Sequence, residues 1–87
     1  MISQKITVNN PSGLHLRPAG VLCNEAMKYS SRIVFAFDGS EANAKSVLSI
    51  LGAGIKSGDE ILLICEGEEE EKALKAMIEA VESGLGE

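Results

Sequence analysis

The chain reads as an α+β domain, a two-layer open-faced sandwich with element order β-α-β-β-α-β-α. Three observations predict it. Apolar residues alternate with period two at Ile2, Ile6 and Val8 and again at Ile33, Phe35 and Phe37, the mark of strands with one covered face. They recur at helical spacing at Ala19, Leu22, Cys23, Ala26 and Met27, and at Leu74, Met77, Ile78, Val81 and Leu85. An Asp38-Gly39 pair then signals a tight hairpin. Strands joined by helices and one hairpin gather the helices on one face of an antiparallel sheet.

Taken in order, the strand around Ile2–Val8 is followed by a turn cluster, Asn9 to Gly13, holding a proline and a glycine. The first helix begins between Leu16 and Pro18 and is expected to end at Ser30 and Ser31. Proline suits a first turn, because the N–H it lacks would have no intrahelical partner. The second strand covers Ile33–Phe37, and its hairpin partner is placed at Glu41–Ala44. A short apolar run, Val47, Leu48, Ile50 and Leu51, follows Ser46, a favoured N-cap, and is closed by Gly52 and Gly54. Lys56 to Asp59 form a turn, and Ile61 to Cys65 a strand. Glu68 to Glu71 are placed at the start of the last helix, where acids suit the positive end of its dipole. Gly84 and Gly86 end that helix.

With 87 residues the chain makes one domain, residues 1–87, without repeat or linker. Its core must be aliphatic, since there is no Trp and only 3% of residues are aromatic. A net charge of -5 argues against nucleic acid, whose binders need a basic footprint, and against an acidic membrane surface. No signal-peptide pattern opens the chain and no apolar run is long enough to span a bilayer, so a cytoplasmic protein is expected. Cys23 and Cys65 form no CxxC and have one histidine between them for company, so they read as two buried thiols; no metal and no cofactor is expected.

The only histidine, His15, stands in the run Pro11-Ser12-Gly13-Leu14-His15-Leu16-Arg17-Pro18-Ala19-Gly20. It falls just outside a helix N-terminus, where free N–H groups and the helix dipole together favour an anion. A neutral imidazole there can act as a nucleophile, and it titrates near neutral pH. Arg17, two residues on, offers a rigid fork of donors that matches phosphate oxygens. The combination suits a phosphoryl group that arrives and leaves. The plainer alternative is a surface histidine beside a solvated arginine and a helix-starting proline, and the residues alone leave both open.

Gly13-Leu14-His15-Leu16-Arg17-Pro18-Ala19 resembles the active-site motif GLHxRPA of HPr, the histidine-containing phosphocarrier family of the bacterial phosphotransferase system. A second region, Asn43 to Gly54 followed by Gly58-Asp59-Glu60-Ile61, also resembles that family, and the likeness spans essentially the whole chain. It implies a sheet of spatial order 1-4-2-3 under three helices. It implies that His15 accepts a phosphoryl group from enzyme I, charged by phosphoenolpyruvate, and passes it to the IIA domains of sugar transporters. Arg17 would steady the group, with the backbone of Leu16 and Arg17 in contact with it. Ser46 matches a serine that a kinase/phosphorylase modifies in many relatives, linking the carrier to a catabolite-control regulator. The partner surface would comprise Leu16, Gly20, Val47, Leu48 and Leu51, and the protein would be a monomer. Leu16, Leu48 and Ser49 depart from the common pattern, and Asn24 and Met27 stand where some relatives carry lysines. Weaker electrostatic steering toward enzyme I is the expected consequence.

Three competing readings remain at this level. One is a specialised paralogue serving another carrier chain. Another is a small phosphatase-like enzyme, for which there is no base beside His15 and no Gly-rich phosphate loop. The last is a regulatory binding module that never carries phosphate on His15. The residues favour a covalent phosphoryl carrier over a stand-alone enzyme.

Overall fold

A computed structural model describes residues 1–87. Its elements are β1 (Ile2–Thr7), α1 (Leu16–Ala26), β2 (Arg32–Phe37), β3 (Ser40–Asn43), α2 (Val47–Gly52), β4 (Glu60–Glu66) and α3 (Glu70–Glu82). The four strands form one sheet of order β1-β4-β2-β3, with every neighbouring pair antiparallel. The helices cover one face: α3 lies against β1, β4 and α1, and α2 against β3 and α1. The predicted element order and strand arrangement are both observed.

Register follows from the period-two pattern. Ile6 pairs with Ile61, and Phe35 with Leu63 and Ala42, so core side chains of neighbouring strands stand side by side. A shift of one residue would turn that whole set outward. Between β2 and β3, Asp38 (φ 51°) and Gly39 (φ 81°) both have positive φ, the signature of a two-residue type I′ turn. Phe35, Ile33, Ile61 and Leu63 meet Leu22, Ile50, Met77, Val81 and Leu85 in one aliphatic core. Both cysteines belong to it and are free thiols.

Several boundaries differ from those the sequence suggests. α1 stops at Ala26 rather than at Ser30–Ser31. The amides of Lys28 and Tyr29 bond to the carbonyls three residues back, Glu25 and Ala26, which tightens the chain out of the helix. Met27 therefore leaves the apolar stripe and is 63% exposed. α3 starts at Glu70, two residues after Glu68, because Glu69 adopts a left-handed conformation (φ 66°) and turns its carboxylate to the amide and hydroxyl of Ser30. Glu70 instead accepts from the Gly67 amide at 3.1 Å. In the stripe of α3, Leu74 and Ile78 are only half-buried, and Ala73 takes an inner place that apolar spacing alone did not mark. Val34 points away from Ile33 and Phe35, yet it too is buried, flanked by Ile64 and Asn43 on the neighbouring strands.

Candidate functional site

His15 is the N-cap of α1, with an extended backbone (φ −77°, ψ −175°). Its carbonyl accepts the first helical bond, from Ala19 N at 2.8 Å. Three helical residues precede Ala19. Pro18 has no N–H, so the first turn offers two free backbone donors, those of Leu16 and Arg17, and neither has an acceptor in the chain. They are the two amides expected to touch a bound anion. Pro18 is buried, and its ring fixes the backbone at this end. The side chains of His15, Leu16 and Arg17 are all exposed, and neither His15 nor Arg17 spends its polar atoms on an internal hydrogen bond or salt bridge.

The cap is held from below. Gly13 has φ +66°, and a Cβ on it would stand 2.6 Å from the carbonyl oxygen of Ile55 and 2.8 Å from the Cα of Lys56. Only glycine lets the loop approach so closely. Leu14 N then donates to Ile55 O at 3.0 Å, and the Leu14 side chain is buried. The residue before His15 is thereby pinned to the segment that leads into β4.

A second clasp was not foreseen. Asn10, 2% exposed, donates through Nδ2 to Gly13 O and to Glu87 Oε1, each at 2.7 Å. The same carboxylate accepts from the Ser12 amide (3.2 Å) and hydroxyl (2.6 Å). Hydrogen bonds from Ser12 and then Asn10, with the nearby charge of Arg17 adding to them, hold the Glu87 carboxyl below the usual carboxylate range. The Asn-Asn-Pro-Ser-Gly turn could have signalled the near half of this clasp. Nothing local could have signalled Glu87, which is far along the chain.

α2 contacts α1 and carries the remaining expected residues. Ser46 is its N-cap, and its hydroxyl oxygen accepts from Ser49 N at 3.2 Å. Ile50 is fully buried, Val47 and Leu51 are half-buried, and Leu48 is 83% exposed. Leu16 is 69% exposed. Gly20 lies one turn beyond Leu16, half-exposed, inside a helix where glycine costs about 1 kcal/mol against alanine. Lys45 steadies the junction by donating from Nζ to the Tyr29 carbonyl at 2.6 Å.

None of the surface clefts is lined by His15 or Arg17. The site is an open patch that cannot enclose a small substrate. It can meet another protein face to face.

An open-faced sandwich with a histidine capping an anion-binding helix end has the architecture of a phosphocarrier. Comparison with known proteins bears this out at the level of family. The family model described as "PTS HPr component phosphorylation site" matches residues 2–83. The chain is 37% identical over 82 residues to the HPr-like protein Crh of Halalkalibacterium halodurans, covering 94% of this chain and 98% of that one. The crystal structure of HPr-C-His from Thermoanaerobacter tengcongensis superposes with a TM-score of 0.96 at 39% identity, over 100% of this chain and 98% of that one. A crystal structure described as an HPr dimer from the same organism gives 0.80 at 39% identity, over 100% of both chains. The chain belongs to the HPr family of phosphocarrier proteins.

Proposed function

We propose that His15 accepts a phosphoryl group from phosphorylated enzyme I and hands it to the IIA domains of sugar transporters. The observation that carries this reading is the position of His15 at the cap of α1, exposed, beside two free amides and Arg17. In the forward step a lone pair on a ring nitrogen attacks phosphorus as the donor's bond to phosphorus breaks, and the donor keeps that bond's electrons. The transition state of phosphoryl transfer is loose, so positioning and charge stabilisation do most of the work. The Leu16 and Arg17 amides supply fixed dipoles and the guanidinium a mobile charge. Two amides and one exposed cation make a moderate anion site, which allows the second transfer to proceed.

The test is incubation with phosphoenolpyruvate and enzyme I, followed by intact mass and acid treatment, with His15→Ala as control. One phosphate that is lost in acid and absent from the control is expected. No phosphate, from an enzyme I active on another carrier, would sink the relay reading.

A second role, regulation through Ser46, is supported by the likeness to Crh of Bacillus subtilis, which is described as a catabolite repression HPr. A serine kinase acting there would place a phosphate at the start of α2, next to the patch that partners must cover. The phosphate would survive acid, which separates it from phosphohistidine, and would signal to a catabolite-control regulator. We place the domain, residues 1–87, in the cytoplasm; no helix is long and apolar enough to cross a membrane. A monomer is the proposed working form, because His15 is then free to partners on every copy. A light-scattering mass of twice the chain would overturn that and align the protein with the dimeric relative.

A further inference from the structure

The two edges of the sheet differ. β3 is four residues long and α2 lies against it. β1 is six residues long, holds no proline and pairs only with β4. The N–H of Val8, just after β1, donates to the Asp59 carbonyl on the β4 side at 2.8 Å. Backbone groups alternate in direction along an antiparallel strand, so Ile6, Gln4 and Ile2 turn theirs to β4, and Ser3, Lys5 and Thr7 turn theirs outward. That outward row is a template for a further strand. α3 flanks it on the helix side. Ala73, Met77 and Val81 are buried under α3, while Leu74 and Ile78 are half-buried and form, with Ile2, the floor of a groove along the strand edge. Glu71, Glu79 and Glu82 stand exposed on its rim against one cation, Lys75. Lys5, the only charged side chain of β1, lies on the other face of the sheet and lines a different cleft.

We infer that β1 and α3 form a docking groove for an extended, basic segment of another protein, which adds to the sheet as a fifth strand. An extended chain laid beside β1 makes main-chain hydrogen bonds with Ser3, Lys5 and Thr7, and every second side chain points to the helix side. Leu74 and Ile78 receive apolar side chains there. Glu71 and Glu82, about 16 Å apart along α3, receive a cation at each end. A second copy of this chain is the wrong occupant, because two β1 edges paired together would set two acidic rims side by side. On its opposite flank α3 turns Ala76 and Ala80 toward Glu25 of α1. No residue of the groove belongs to α1 or to the loop before His15, so a partner seated here leaves the histidine uncovered. The groove therefore stands apart from the carrier reading.

The probe is the end-capped peptide Arg-Thr-Val-Thr-Val-Thr-Arg, whose alternate positions match the rim and floor of the groove. A control peptide, Arg-Val-Thr-Thr-Thr-Val-Arg, keeps charge and composition and breaks that order. Each is titrated into isotope-labelled protein while NMR follows amide shifts and amide exchange. Saturable shifts are expected in β1 and along Glu71–Glu82, with those of His15 and Leu16 unmoved. Exchange at the Ser3, Lys5 and Thr7 amides should slow at least about tenfold, since a partner strand takes them out of water. The double variant Glu79→Lys/Glu82→Lys changes two exposed side chains and leaves the core intact, and should bind the probe at least about tenfold more weakly. Equal binding of the two peptides, or shifts on α3 without slowed exchange in β1, would mean loose attraction to the acids and would overturn the proposal. So would the lack of any saturable shift up to about 1 mM peptide. Shifts at the same residues on raising the protein concentration alone would make a second copy the occupant and overturn it too.

Discussion

The carboxylate of Glu87 accepts hydrogen bonds from both the amide and the hydroxyl of Ser12, across 75 residues of sequence, and so ties the end of the described chain to the loop that leads into His15. Because its carboxyl titrates lower in the fold than in the unfolded chain, ionised Glu87 stabilises the native state. That contribution is present above the unfolded pKa of about 4.3 and is lost as pH falls through the lower folded value. Glu87→Gln should therefore melt at lower temperature than wild type at pH 7, and the gap should narrow as pH falls below the unfolded value of about 4.3. Thermal melts at both pH values decide it; a constant gap would show that charge is not the cause.

Gly13→Ala should be among the most damaging single changes in the chain. The new Cβ would press on backbone atoms of Ile55 and Lys56, which cannot swing aside, in a conformation that L-residues avoid. A loss of roughly 3 kcal/mol is expected, read as a lower urea midpoint at unchanged m.

Ser46→Ala removes the oxygen that accepts from Ser49 N, at a cost of about 1 kcal/mol, or about 4–8 °C in Tm. Ser46→Asp keeps an equivalent cap and should melt near wild type, while the added charge slows acceptance of phosphate from enzyme I. Equal stability of the Ala variant and wild type would remove the cap from the account of α2.

Cys65 should be inert. It is fully buried, and burial, aided by the negative charge of Glu70, pushes its thiol pKa up and keeps the nucleophilic thiolate scarce. At pH 8, iodoacetamide should label Cys65 in denaturant and leave it intact in the native protein, as peptide mapping would show.

Phosphorylation by enzyme I should respond weakly to salt. On the outer side of α1, Asn24 and Met27 are exposed and uncharged. Raising ionic strength from low to physiological should change the rate by less than about twofold, and a steep fall would reveal a steering charge elsewhere on the surface.

The sequence was most legible where local rules suffice. Asp38-Gly39 marked its turn because positive φ at both central positions favours such residues, and Ser46 marked a cap because its oxygen replaces a missing helical acceptor. A helix start between Leu16 and Pro18 could be read from Pro18, whereas the backbone of Leu16 and Arg17 was singled out by likeness to a family. Tertiary partners were less visible. Glu68 to Glu71 look alike as a run of acids, but Glu69 answers Ser30 from another part of the chain, and that contact sets where α3 begins. The spatial order of the strands came from likeness to a family and not from periodicity, since alternation tells which face a residue takes and not which neighbour it pairs with. The Glu87 clasp depends on a meeting that only the folded chain arranges.

His15 has the helix on one side and the clasped loop on the other, and no cleft to shelter in. For a carrier of this shape, donor and acceptor compete for the same ground. If His15 carries the group as proposed, occupancy by one would exclude the other, cargo would move by taking turns, and no three-protein relay complex would form over the histidine. Throughput would then be governed by how fast the charged carrier leaves its donor, and a surface that gripped better would run slower.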